Sequence, residues 1–512
     1  MNKIITPQKF NTLREKFREQ NKTVVLCHGV FDLLHYGHIE HLQEAKSQGD
    51  ILVVSVTAAK YVNKGPGRPY FNDRQRMSFL ASIEFVDYVL LSEAVTVHEI
   101  VKYVQPDIYV KGSEYAVAQN DVTGNINFEQ EIVEKYGGRI YFTKGEVYSS
   151  TKLLNKFFGA LPENIIKESQ DLRKKYGDNI FEQIRTQIDD FKNLNILVVG
   201  DIIIDDYIFC KVQGLTMKDS VISTLFDFKE RYAGGSLAIA KHLANFAGKV
   251  TLLSQMGLEQ DIFDFIRSNM SSVECRIIQS KNFITPVKLR YLKRHHLRQE
   301  YDKLFSINRL SSAKDIKQVD YTDFNRTLKE LLPLYDVIVI CDYGHGLLQN
   351  ESIRLAEEKA KFLAVNCQTN SSNYGMNLIT KYKRADVFVV DERELHLACT
   401  QVLEDNDVSL SNLFHRLNSK YAFLTQGASG ALGMTAQDKS QMSAATLHVK
   451  DTVGAGDAFY SLALMAAVKN MPVDCATLIS NLAGAIKTNL LGNSKPVEKV
   501  DLLKFLNTVL NV

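Results

Sequence analysis

The sequence predicts an α/β protein built from two parallel-sheet units, the second of which carries a small additional β-sheet. Two stretches of the chain alternate short β-branched runs with helical patterns of apolar residues, which is typical of a parallel sheet covered by helices on both faces. A charged stretch without strand character separates them. The chain has 512 residues, and at about 150 residues per domain this length requires at least two domains.

The first alternating series runs from about residue 20 to about residue 145. Short runs rich in Val, Ile and Tyr give its strands, and the amphipathic segments between them give its helices. The expected strands are Thr23–Cys27, Ile51–Thr57, Val86–Leu91, Asp107–Val110 and Arg139–Thr143, and the expected helices are His38–Gln48, Asp73–Ile83 and His98–Val104.

The second series begins at Asn195 and continues to the C-terminus. At 207–232 and 283–307, polar and apolar residues alternate without an intervening helical pattern. These two stretches predict a small sheet or lid. Before it, a charge-rich stretch with apolar residues at helical spacing predicts a helical connector. The strands of the main sheet are expected at 250–254, 336–341, 362–366, 386–390 and 421–425. The expected domains are 1–157, the connector 158–192, and 193–512.

The composition excludes several classes of protein. Lys and Arg number 61 against 59 Asp and Glu, so a net charge of +2 offers no electrostatic footprint for a nucleic acid or an anionic membrane. No apolar run reaches the roughly 18 residues of a membrane span, and the first residues lack the apolar core of a signal peptide. The seven cysteines include no C-x-x-C pair, which predicts reduced thiols in a cytoplasmic protein, without disulfides or structural zinc.

Two histidines, His35 and His38, lie at the start of a helix that follows the strand ending near Gly29. The first N–H groups of a helix are unpaired, Gly37 lets a phosphate approach the backbone, and two imidazoles can donate to its oxygens. The pattern predicts a site for the phosphates of a nucleotide. An ordinary helix start is one alternative, and a zinc site that adds His41 is another, although a matching set of carboxylates or thiolates is missing.

Further segments follow this H-x-G-H pattern: Asn63-Lys-Gly-Pro-Gly-Arg-Pro69, Asn72-Asp-Arg-Gln-Arg-Met77, Val86-Asp-Tyr-Val89, Pro106-Asp-Ile-Tyr-Val-Lys-Gly-Ser-Glu-Tyr115 and Tyr148-Ser-Ser-Thr-Lys-Leu-Leu154. Residues 20–157 thereby resemble the nucleotidyltransferase superfamily that includes cytidylyltransferases and heptose-phosphate adenylyltransferases. The resemblance implies a Rossmann-like fold and attack of a sugar-phosphate oxygen on the α-phosphorus of a nucleoside triphosphate, with release of pyrophosphate.

The same resemblance implies roles for individual residues. His35 and His38 would be catalytic, steadying charge on the α-phosphate. Lys64 and Arg76 have a solvated surface position as an equal alternative. Nucleotide or phosphate binding is implied for Gly29, Phe31, Lys64, Arg76, Lys111, Ser150 and Thr151.

A second motif, Asp451-Thr-Val-Gly-Ala-Gly-Asp457, precedes an apolar helical pattern at Ser461–Val468. Gly454 and Gly456 remove side chains where backbone N–H groups can surround an anion, and the carboxylate of Asp457 can accept a proton from a hydroxyl that attacks a γ-phosphate. An N-cap is the alternative reading of an Asp after two glycines. The full string resembles the signature of the ribokinase family of sugar kinases.

The ribokinase resemblance covers residues 193–510 and rests on further segments in family order: Val198-Val-Gly-Asp-Ile-Ile-Ile-Asp205, Tyr232-Ala-Gly-Gly-Ser236, Cys341-Asp-Tyr-Gly-His-Gly-Leu347, Asp391-Glu-Arg-Glu394 and Thr425-Gln-Gly-Ala-Ser-Gly430. It implies a ribokinase-like α/β fold with Asp457 as catalytic base. It implies nucleotide binding by Thr425, Gly427, Gly430, Gly454, Ala455 and Gly456, sugar binding by Asp201, Asp205, Gly234, Gly235 and Lys288, and an indirect link to magnesium for Glu394 and Asp391.

The second half departs from the family pattern at positions that would meet the acceptor. Ala238 stands where a sugar-binding Asn is expected, His345 replaces a Lys, and Asp391 replaces an Asn. The stretch 364–370 lacks the D-P-K-like segment of heptose kinases. These changes leave the phosphate chemistry intact, but a lost buried hydrogen-bonding partner can reject a hydroxylated substrate by orders of magnitude.

Together the two halves resemble the bifunctional heptose kinase and heptose-phosphate adenylyltransferase family, in reversed domain order. The resemblance implies an enzyme of nucleotide-sugar biosynthesis that uses Mg²⁺ with ATP or CTP, allows a monovalent cation, and forms a homodimer through its lid. Two alternatives stay open. The kinase half could be degenerate and serve binding or dimerisation, or the acceptor could be another polyol or sugar phosphate that is activated as a CDP derivative.

Overall fold

The computed structural model describes residues 3–62, 68–94, 96–112, 126–144, 161–294, 301–399, 405–446 and 449–511. The chain divides into two compact units, Met1–Ile166 with Leu503–Val512, and Lys167–Leu502. No helix within the described ranges has both the length and the apolar character that a membrane span requires.

A five-stranded sheet forms the centre of the first unit. Its strands are β1 (Val24–Gly29), β2 (Ile51–Thr57), β3 (Tyr88–Ser92), β4 (Ile108–Lys111) and β5 (Arg139–Phe142). They pair in the order β3-β2-β1-β4-β5, and every pair is parallel. Because successive strand residues point to opposite faces, Val25 packs in one apolar cluster with Leu42, and Val24 packs in another with Val101.

Helices cover both faces of this sheet. They are α1 (Pro7–Glu19), α2 (Tyr36–Ser47), α3 (Asp73–Ala81), α4 (His98–Val104) and α5 (Ile126–Lys135). The start of α3 shows the local cause: Asn72 Oδ1 accepts from the Gln75 N–H over 3.0 Å, and Gln75 Oε1 accepts from the Asn72 N–H over 3.1 Å. This reciprocal cap satisfies donors that a helix start otherwise leaves unpaired.

Two helices, α6 (Glu163–Tyr176) and α7 (Ile180–Asp189), occupy most of the stretch predicted as a connector. Their contacts lie mainly within the second unit. The Tyr176 hydroxyl donates to Asp474 Oδ1 over 2.9 Å, and the Lys175 ammonium lies 2.7 Å from Asp474 Oδ2. The domain boundaries themselves stay a prediction.

The second unit contains two sheets. The strands are β6 (Asn195–Gly200), β7 (Ile202–Leu215), β8 (Ile222–Gly235), β9 (Lys249–Met256), β10 (Glu274–Gln279), β11 (Val287–Arg294), β12 (Tyr301–Arg309), β13 (Val337–Asp342), β14 (Leu363–Cys367), β15 (Val387–Asp391), β16 (Tyr421–Thr425), β17 (Ala431–Met434) and β18 (Lys439–Met442). The main sheet has the order β10-β9-β6-β13-β14-β15-β16-β17-β18, and only its β16–β17 and β17–β18 pairs are antiparallel. The small sheet has the order β12-β11-β7-β8, and we call it the lid.

Several helices of the second unit pack against the main sheet. The helices of this unit are α8 (Ser236–Ala244), α9 (Gln260–Asn269), α10 (Ala313–Ile316), α11 (Thr322–Leu331), α12 (Asn350–Lys359), α13 (Glu392–Ala398), α14 (Asn406–Arg416), α15 (Ala455–Val468) and α16 (Val473–Thr488). The last helix, α17 (Lys499–Leu510), begins in the second unit, and its residues from Leu503 onward belong to the first unit. Residues 457–467 of α15 are all buried, which makes α15 a central helix rather than a surface helix.

The predicted α/β class with a separate small sheet is confirmed. The five strands expected in the main sheet correspond to β9, β13, β14, β15 and β16. The sequence analysis did not anticipate β10, β17 and β18. It also began the first lid strand too late, because β7 starts at Ile202, two residues after β6 ends at Gly200.

Candidate active sites

The first candidate site lies where β1 ends and α2 begins. Phe31 has a φ of +47°, a left-handed backbone conformation that is strained in a non-glycine residue and that clusters at functional sites. Its ring lies 5.6 Å from the His38 ring, and 3.2 Å from the place that a Cβ on Gly29 would take. The structure therefore brings the predicted residues Gly29, Phe31 and His38 together.

His35 is the N-cap residue of α2, and its ring centroid lies 4.0 Å from that of His38. The His35 N–H donates to Nδ1 of His38 over 3.4 Å, which favours the His38 tautomer with its proton on Nε2. Burial lowers the pKa of His35, so its imidazole is neutral at pH 7 and can donate one hydrogen bond. Together with the dipole of the helix start, the two rings can hold an anion.

Two further histidines lie beside this pair. His28 Nδ1 is 2.6 Å from Ser55 Oγ, and burial together with the Lys111 charge lowers the pKa of His28 to about 3. His41 Nδ1 is 3.1 Å from Thr143 Oγ1. Within the described residues no group of three or more His, Cys, Asp or Glu is arranged to hold a metal ion.

Arg76, predicted to bind a phosphate, is surrounded by acceptors of the protein itself. It is fully buried, its Nε donates to Phe71 O over 3.0 Å, and its Nη1 donates to Val30 O over 2.6 Å and to Thr57 O over 2.9 Å. Its Nη2 pairs with Asp73. A guanidinium with these acceptors fixes the backbone around the site, and phosphate binding by Arg76 stays a prediction.

The remaining predicted residues of the first unit divide into two groups. Lys111 lies at the end of β4, where its ammonium is 2.6 Å from Glu129 Oε2 in a mostly buried ion pair. Lys64, Ser150 and Thr151 lie outside the described residues, so their roles stay predictions.

The second candidate site is a cavity of about 860 Å³ in the second unit. Its lining comes from the carboxyl ends of β14, β15 and β16, from the loop before α15, and from β7 and β11 of the lid. The carboxyl ends of parallel strands are where α/β sheets bind ligands. The predicted residues that line it are Asp205, Gly235, Lys288, Asp391, Glu394, Thr425, Gly427, Gly430, Gly454, Ala455, Gly456 and Asp457.

Asp457, in the first turn of α15, has one carboxylate oxygen occupied and one available. Its Oδ1 accepts from the Tyr343 hydroxyl over 2.9 Å and from Gln368 Nε2 over 3.3 Å, whereas neither donor contacts Oδ2. Burial raises the pKa of Asp457, and these two donors oppose that effect. A carboxylate held in this way can accept a proton on Oδ2.

Sequence reasoning missed Tyr343 and Gln368 as partners of Asp457. Tyr343 follows β13 and is 4% exposed, and Gln368 follows β14 and is held by Asn366 Oδ1 over 2.9 Å. The available signal was the departure from the D-P-K-like pattern at 364–370, because a changed segment at a strand end changes what reaches the cavity.

Glycines leave room for phosphates at one end of the cavity. A Cβ on Gly456 or on Gly427 would meet nothing within 4 Å, so both backbones face open space. Gly454 has a φ of +82° and forms the N-cap of α15. The first N–H groups of α15 and its helix dipole therefore face this end of the cavity, where a triphosphate can bind.

Charged side chains of the lid form the other end of the cavity. Arg290 on β11 pairs with Asp205 on β7 at 2.9 Å, and a Cβ on Gly234 would lie 2.4 Å from Asp205 Oδ2, which explains the glycine there. Lys288 on β11 has its pKa lowered by burial, and within the described residues it forms no ion pair. Arg290 was not predicted. It lies two residues after Lys288 on the same strand, and this spacing places both side chains on one face, which was the available signal.

Asp201, which was predicted to bind the sugar, and His345, which replaces an expected Lys, do not line the cavity. Asp201 is 1% exposed, and its Oδ2 accepts from the Tyr343 N–H over 2.9 Å and the His345 N–H over 3.4 Å. Asp201 thereby holds the loop after β13, and we do not propose it as a sugar ligand. His345 Nε2 is buried without a hydrogen-bond partner among the described residues, and burial lowers its pKa to about 4.

Glu394 and Asp391 form a reciprocal cap at the start of α13. Asp391 Oδ1 accepts from the Glu394 N–H over 2.7 Å, while Glu394 accepts from the N–H groups of Asp391 and Thr369, each over 3.0 Å. Burial and the Asp391 charge raise the pKa of Glu394 to about 7. A cation near the triphosphate would relieve this repulsion, so the pair fits an indirect magnesium site that acts through water.

Two family models match the chain. Residues 26–156 match the cytidylyltransferase-like model, and residues 193–499 match the model of the pfkB family of carbohydrate kinases. The second match covers more than half of the chain. The chain belongs to the pfkB carbohydrate kinase family. Its N-terminal part is a cytidylyltransferase-like domain, so carbohydrate kinase and nucleotidyltransferase architectures are combined in one chain.

Curated relatives match the N-terminal domain. The bifunctional protein HldE of Syntrophotalea carbinolica is 36% identical over 140 residues, which are 27% of this chain and 27% of the relative. The bifunctional protein HldE of Aliarcobacter butzleri is 37% identical over 139 residues, 27% of this chain and 29% of the relative. The aligned part of the chain thus spans less than a third of the length of these relatives.

Solved structures of phosphofructokinase-2 from Escherichia coli are similar to part of this chain at low identity. The complex with fructose-6-phosphate is 14% identical, with a TM-score of 0.48, and covers 62% of this chain and 99% of that chain. The complex with substrates and products is 13% identical, with a TM-score of 0.49 and the same coverage.

Proposed function

We propose that this chain is a bifunctional enzyme of nucleotide-sugar biosynthesis. One half phosphorylates a sugar, a heptose or heptose phosphate-like compound, with ATP. The other half transfers a nucleotidyl group from ATP or CTP to a sugar phosphate and releases pyrophosphate. The observation that carries the proposal is one cavity that the Asp457 carboxylate lines. Glycines line the phosphate end of this cavity, and charged side chains line its acceptor end.

The kinase reaction follows from this cavity. Asp457 Oδ2 takes the proton of an acceptor hydroxyl, whose oxygen bonds to the γ-phosphorus while the bond from that phosphorus to the β–γ bridging oxygen breaks and ADP leaves. The N–H groups at the start of α15 hold the transferring phosphoryl group. Mg²⁺, bound with the nucleotide near Glu394 and Asp391, would supply charge neutralisation of the phosphates.

The charges of the lid favour an anionic acceptor. Lys288 has no ion pair among the described residues, whereas the Arg290 guanidinium beside it is already paired with Asp205. A phosphate group on the sugar would give Lys288 a counter-ion, and a neutral sugar would not. The acceptor we favour is therefore a phosphorylated sugar.

The transferase reaction uses the start of α2. An oxygen of the sugar phosphate attacks the α-phosphorus of the nucleoside triphosphate, and the bond to the α–β bridging oxygen breaks as pyrophosphate leaves. His35, His38 and the N–H groups of α2 hold the α-phosphate while its charge increases. No covalent intermediate with the enzyme is required.

A degenerate kinase half is the second candidate. Ala238 is buried at a position where a sugar-binding Asn is expected, which favours loss of one acceptor contact. The paired carboxylate, the glycines and the lid cations around one cavity favour an active kinase instead.

Two active-site variants test both activities. The full chain should release pyrophosphate and form ADP in separate assays with ATP or CTP, Mg²⁺ and a panel of sugars and sugar phosphates. His38→Ala should abolish pyrophosphate release and leave ADP formation, because no histidine of the first unit belongs to the kinase cavity. Asp457→Asn should do the opposite, with a fall in kcat of at least about 100-fold.

Two outcomes would contradict these assignments. If ADP formation survives in Asp457→Asn, Asp457 is not the base. If the wild-type chain binds ATP without turnover of any acceptor, the kinase half is degenerate. Mass spectrometry of the products identifies the acceptor and the nucleotide.

We also propose that the protein is a homodimer formed through the lid. Large apolar side chains are exposed on it, and an apolar patch of this kind marks an interaction surface. They are Leu225, Phe226, Phe228, Phe305 and Ile307.

A further inference from the structure

Lys487, in the last turn of α16, is fully buried. Its ammonium donates to the carbonyl oxygen of Gly492, and it forms no ion pair with any described residue. A buried ammonium without a counter-ion loses several kcal/mol of hydration. The pKa of Lys487 is accordingly lowered to about 8 by burial. Because burying this ammonium costs hydration free energy, we expect its charge to have a role in the neighbouring cavity.

Lys487 packs against Gly454, one of the glycines at the phosphate end of the cavity. A Cβ placed on Gly454 would lie 3.0 Å from Lys487 Cε and 2.2 Å from Asn493 Oδ1. Gly454 lines the cavity and caps α15, whereas Lys487 does not line the cavity. The lysine therefore packs directly behind the backbone that receives the phosphates.

The charges around Lys487 act on it in both directions. Asp451 and Asp457 favour its charged form, and Lys241 on α8 opposes it. His242, the other titratable group on α8, is itself kept neutral, because burial and the charges of Lys487 and Lys241 lower its pKa to about 3. An anionic phosphoryl group at the glycines would add a third favourable charge.

We propose that Lys487 is a built-in cation of the kinase site, which acts through the glycine loop to stabilise the negative charge of the transferring phosphoryl group. The inference rests on the proposed kinase function. The lysine touches no substrate and is a positioning residue. Its charge is shielded from water, so it acts on the phosphates with less screening than a surface lysine.

An uncharged variant of similar shape tests this role. Lys487→Met should lower the kinase kcat by about 100-fold with little change in the KM of the acceptor, because the charge matters most when negative charge builds up on the phosphoryl group. Pyrophosphate release by the first unit should stay unchanged, and an unchanged melting temperature of the second unit reports that this unit folds. Lys241→Met, the matched control on α8, should keep the kinase rate.

Chemical rescue separates the charge from a packing role. Lys487→Ala leaves a space behind Gly454, and ammonium or ethylammonium ions should restore part of its kinase rate. Tetramethylammonium has no N–H to donate to Gly492 O and should restore none. A merely structural lysine would give a low melting temperature that no cation corrects.

The outcomes are distinct. A wild-type kinase with a Lys487→Met variant of equal kcat refutes this inference and leaves the proposed function standing. A wild-type chain without kinase turnover refutes the proposed function, and this inference with it. If both lysine variants fail to fold, the pH profile of the wild type decides, because kcat must then fall in the alkaline range, as the ammonium loses its proton.

Discussion

Asp201 is a carboxyl group that folding makes harder to ionise. Burial and the neighbouring Asp342 charge raise its pKa to about 7, whereas an aspartate in an unfolded chain titrates near about 4. Its stabilising effect is thus complete below about pH 4 and is lost as the pH rises through 7. We expect Asp201→Asn to stabilise the second unit by about 1–3 kcal/mol at pH 8 and by much less at pH 5, measured by thermal unfolding of the full chain.

The matched control is the carboxylate next to Asp201. Asp342 lies 2.6 Å from the Lys381 ammonium and accepts from the Tyr382 hydroxyl over 2.6 Å. Asp342→Asn removes one side of a buried ion pair and should destabilise the unit at both pH values. Equal destabilisation by Asp201→Asn at pH 5 and pH 8 would show that the charged form of Asp201 is the native one.

At the scale of single residues, the sequence predicted those whose role is local. The glycines before Asp457 and the histidines at the start of α2 follow from what a helix start needs in order to bind an anion. The partners of Asp457 could not be predicted in this way, because Tyr343 is 114 residues away along the chain and Gln368 is 89 residues away. The acceptors of Arg76 could not be predicted either, because spacing does not reveal which backbone carbonyls a guanidinium meets.

At the scale of elements, the lid is bonded to the phosphate loop through one carboxylate. Tyr207 on β7 donates to Asp451 Oδ2 over 3.0 Å, and the Lys303 ammonium on β12 lies 2.9 Å from Asp451 Oδ1. Asp451 also accepts from the Gly492 N–H over 2.9 Å. Two lid strands and the loop before α15 therefore share one anchor, which sets the distance between the acceptor end and the phosphate end.

Removal of one anchoring hydroxyl should uncouple the two ends of the cavity. Tyr207→Phe keeps the buried ring but leaves Asp451 with one donor fewer, so kcat/KM of the kinase should fall about tenfold, which is the effect of about 1.4 kcal/mol. Tyr291→Phe is the control, because Tyr291 stacks on Phe305 in the same sheet and its hydroxyl has no partner among the described residues. An equal loss in both variants would mean that the lid responds to any lost hydroxyl.

The sequence predicted the elements that are buried on both faces best. Every residue of β13 and β14 is buried, and a continuous run of mostly apolar residues predicts such a strand. The edge strand β18 was missed because its four residues, Lys439–Met442, alternate exposed and buried positions over too short a length to form a pattern. β7 was placed late because its first residues, from Ile202, are buried and apolar and continue the character of β6.

At the scale of the whole molecule, length required at least two domains, and the alternation of strands and helices predicted two α/β units. The chain divides into two compact units. The oligomeric state depends on surfaces, which periodicity describes poorly because exposed apolar residues in a lid have the same alternation as buried ones. The exposed lid residues Phe226 and Phe228 on β8 and Phe305 on β12 lie on one small sheet. A second copy of this chain is the partner that presents an equivalent apolar surface, and two-fold pairing covers both at once.

A substitution that introduces a charge into the apolar surface of the lid tests the dimer proposal. Light scattering coupled to size-exclusion chromatography should give twice the chain mass for the wild type and the monomer mass for Phe226→Glu, because a carboxylate that is buried in an apolar interface costs several kcal/mol. Leu334→Glu is the control, since Leu334 is also an exposed apolar residue but lies in a short 3-10 helix before β13, and this variant should stay dimeric. Pyrophosphate release should persist in the Phe226→Glu monomer, because the first unit has its own sheet and core. A dimer that survives Phe226→Glu and is lost in Leu334→Glu would place the interface outside the lid.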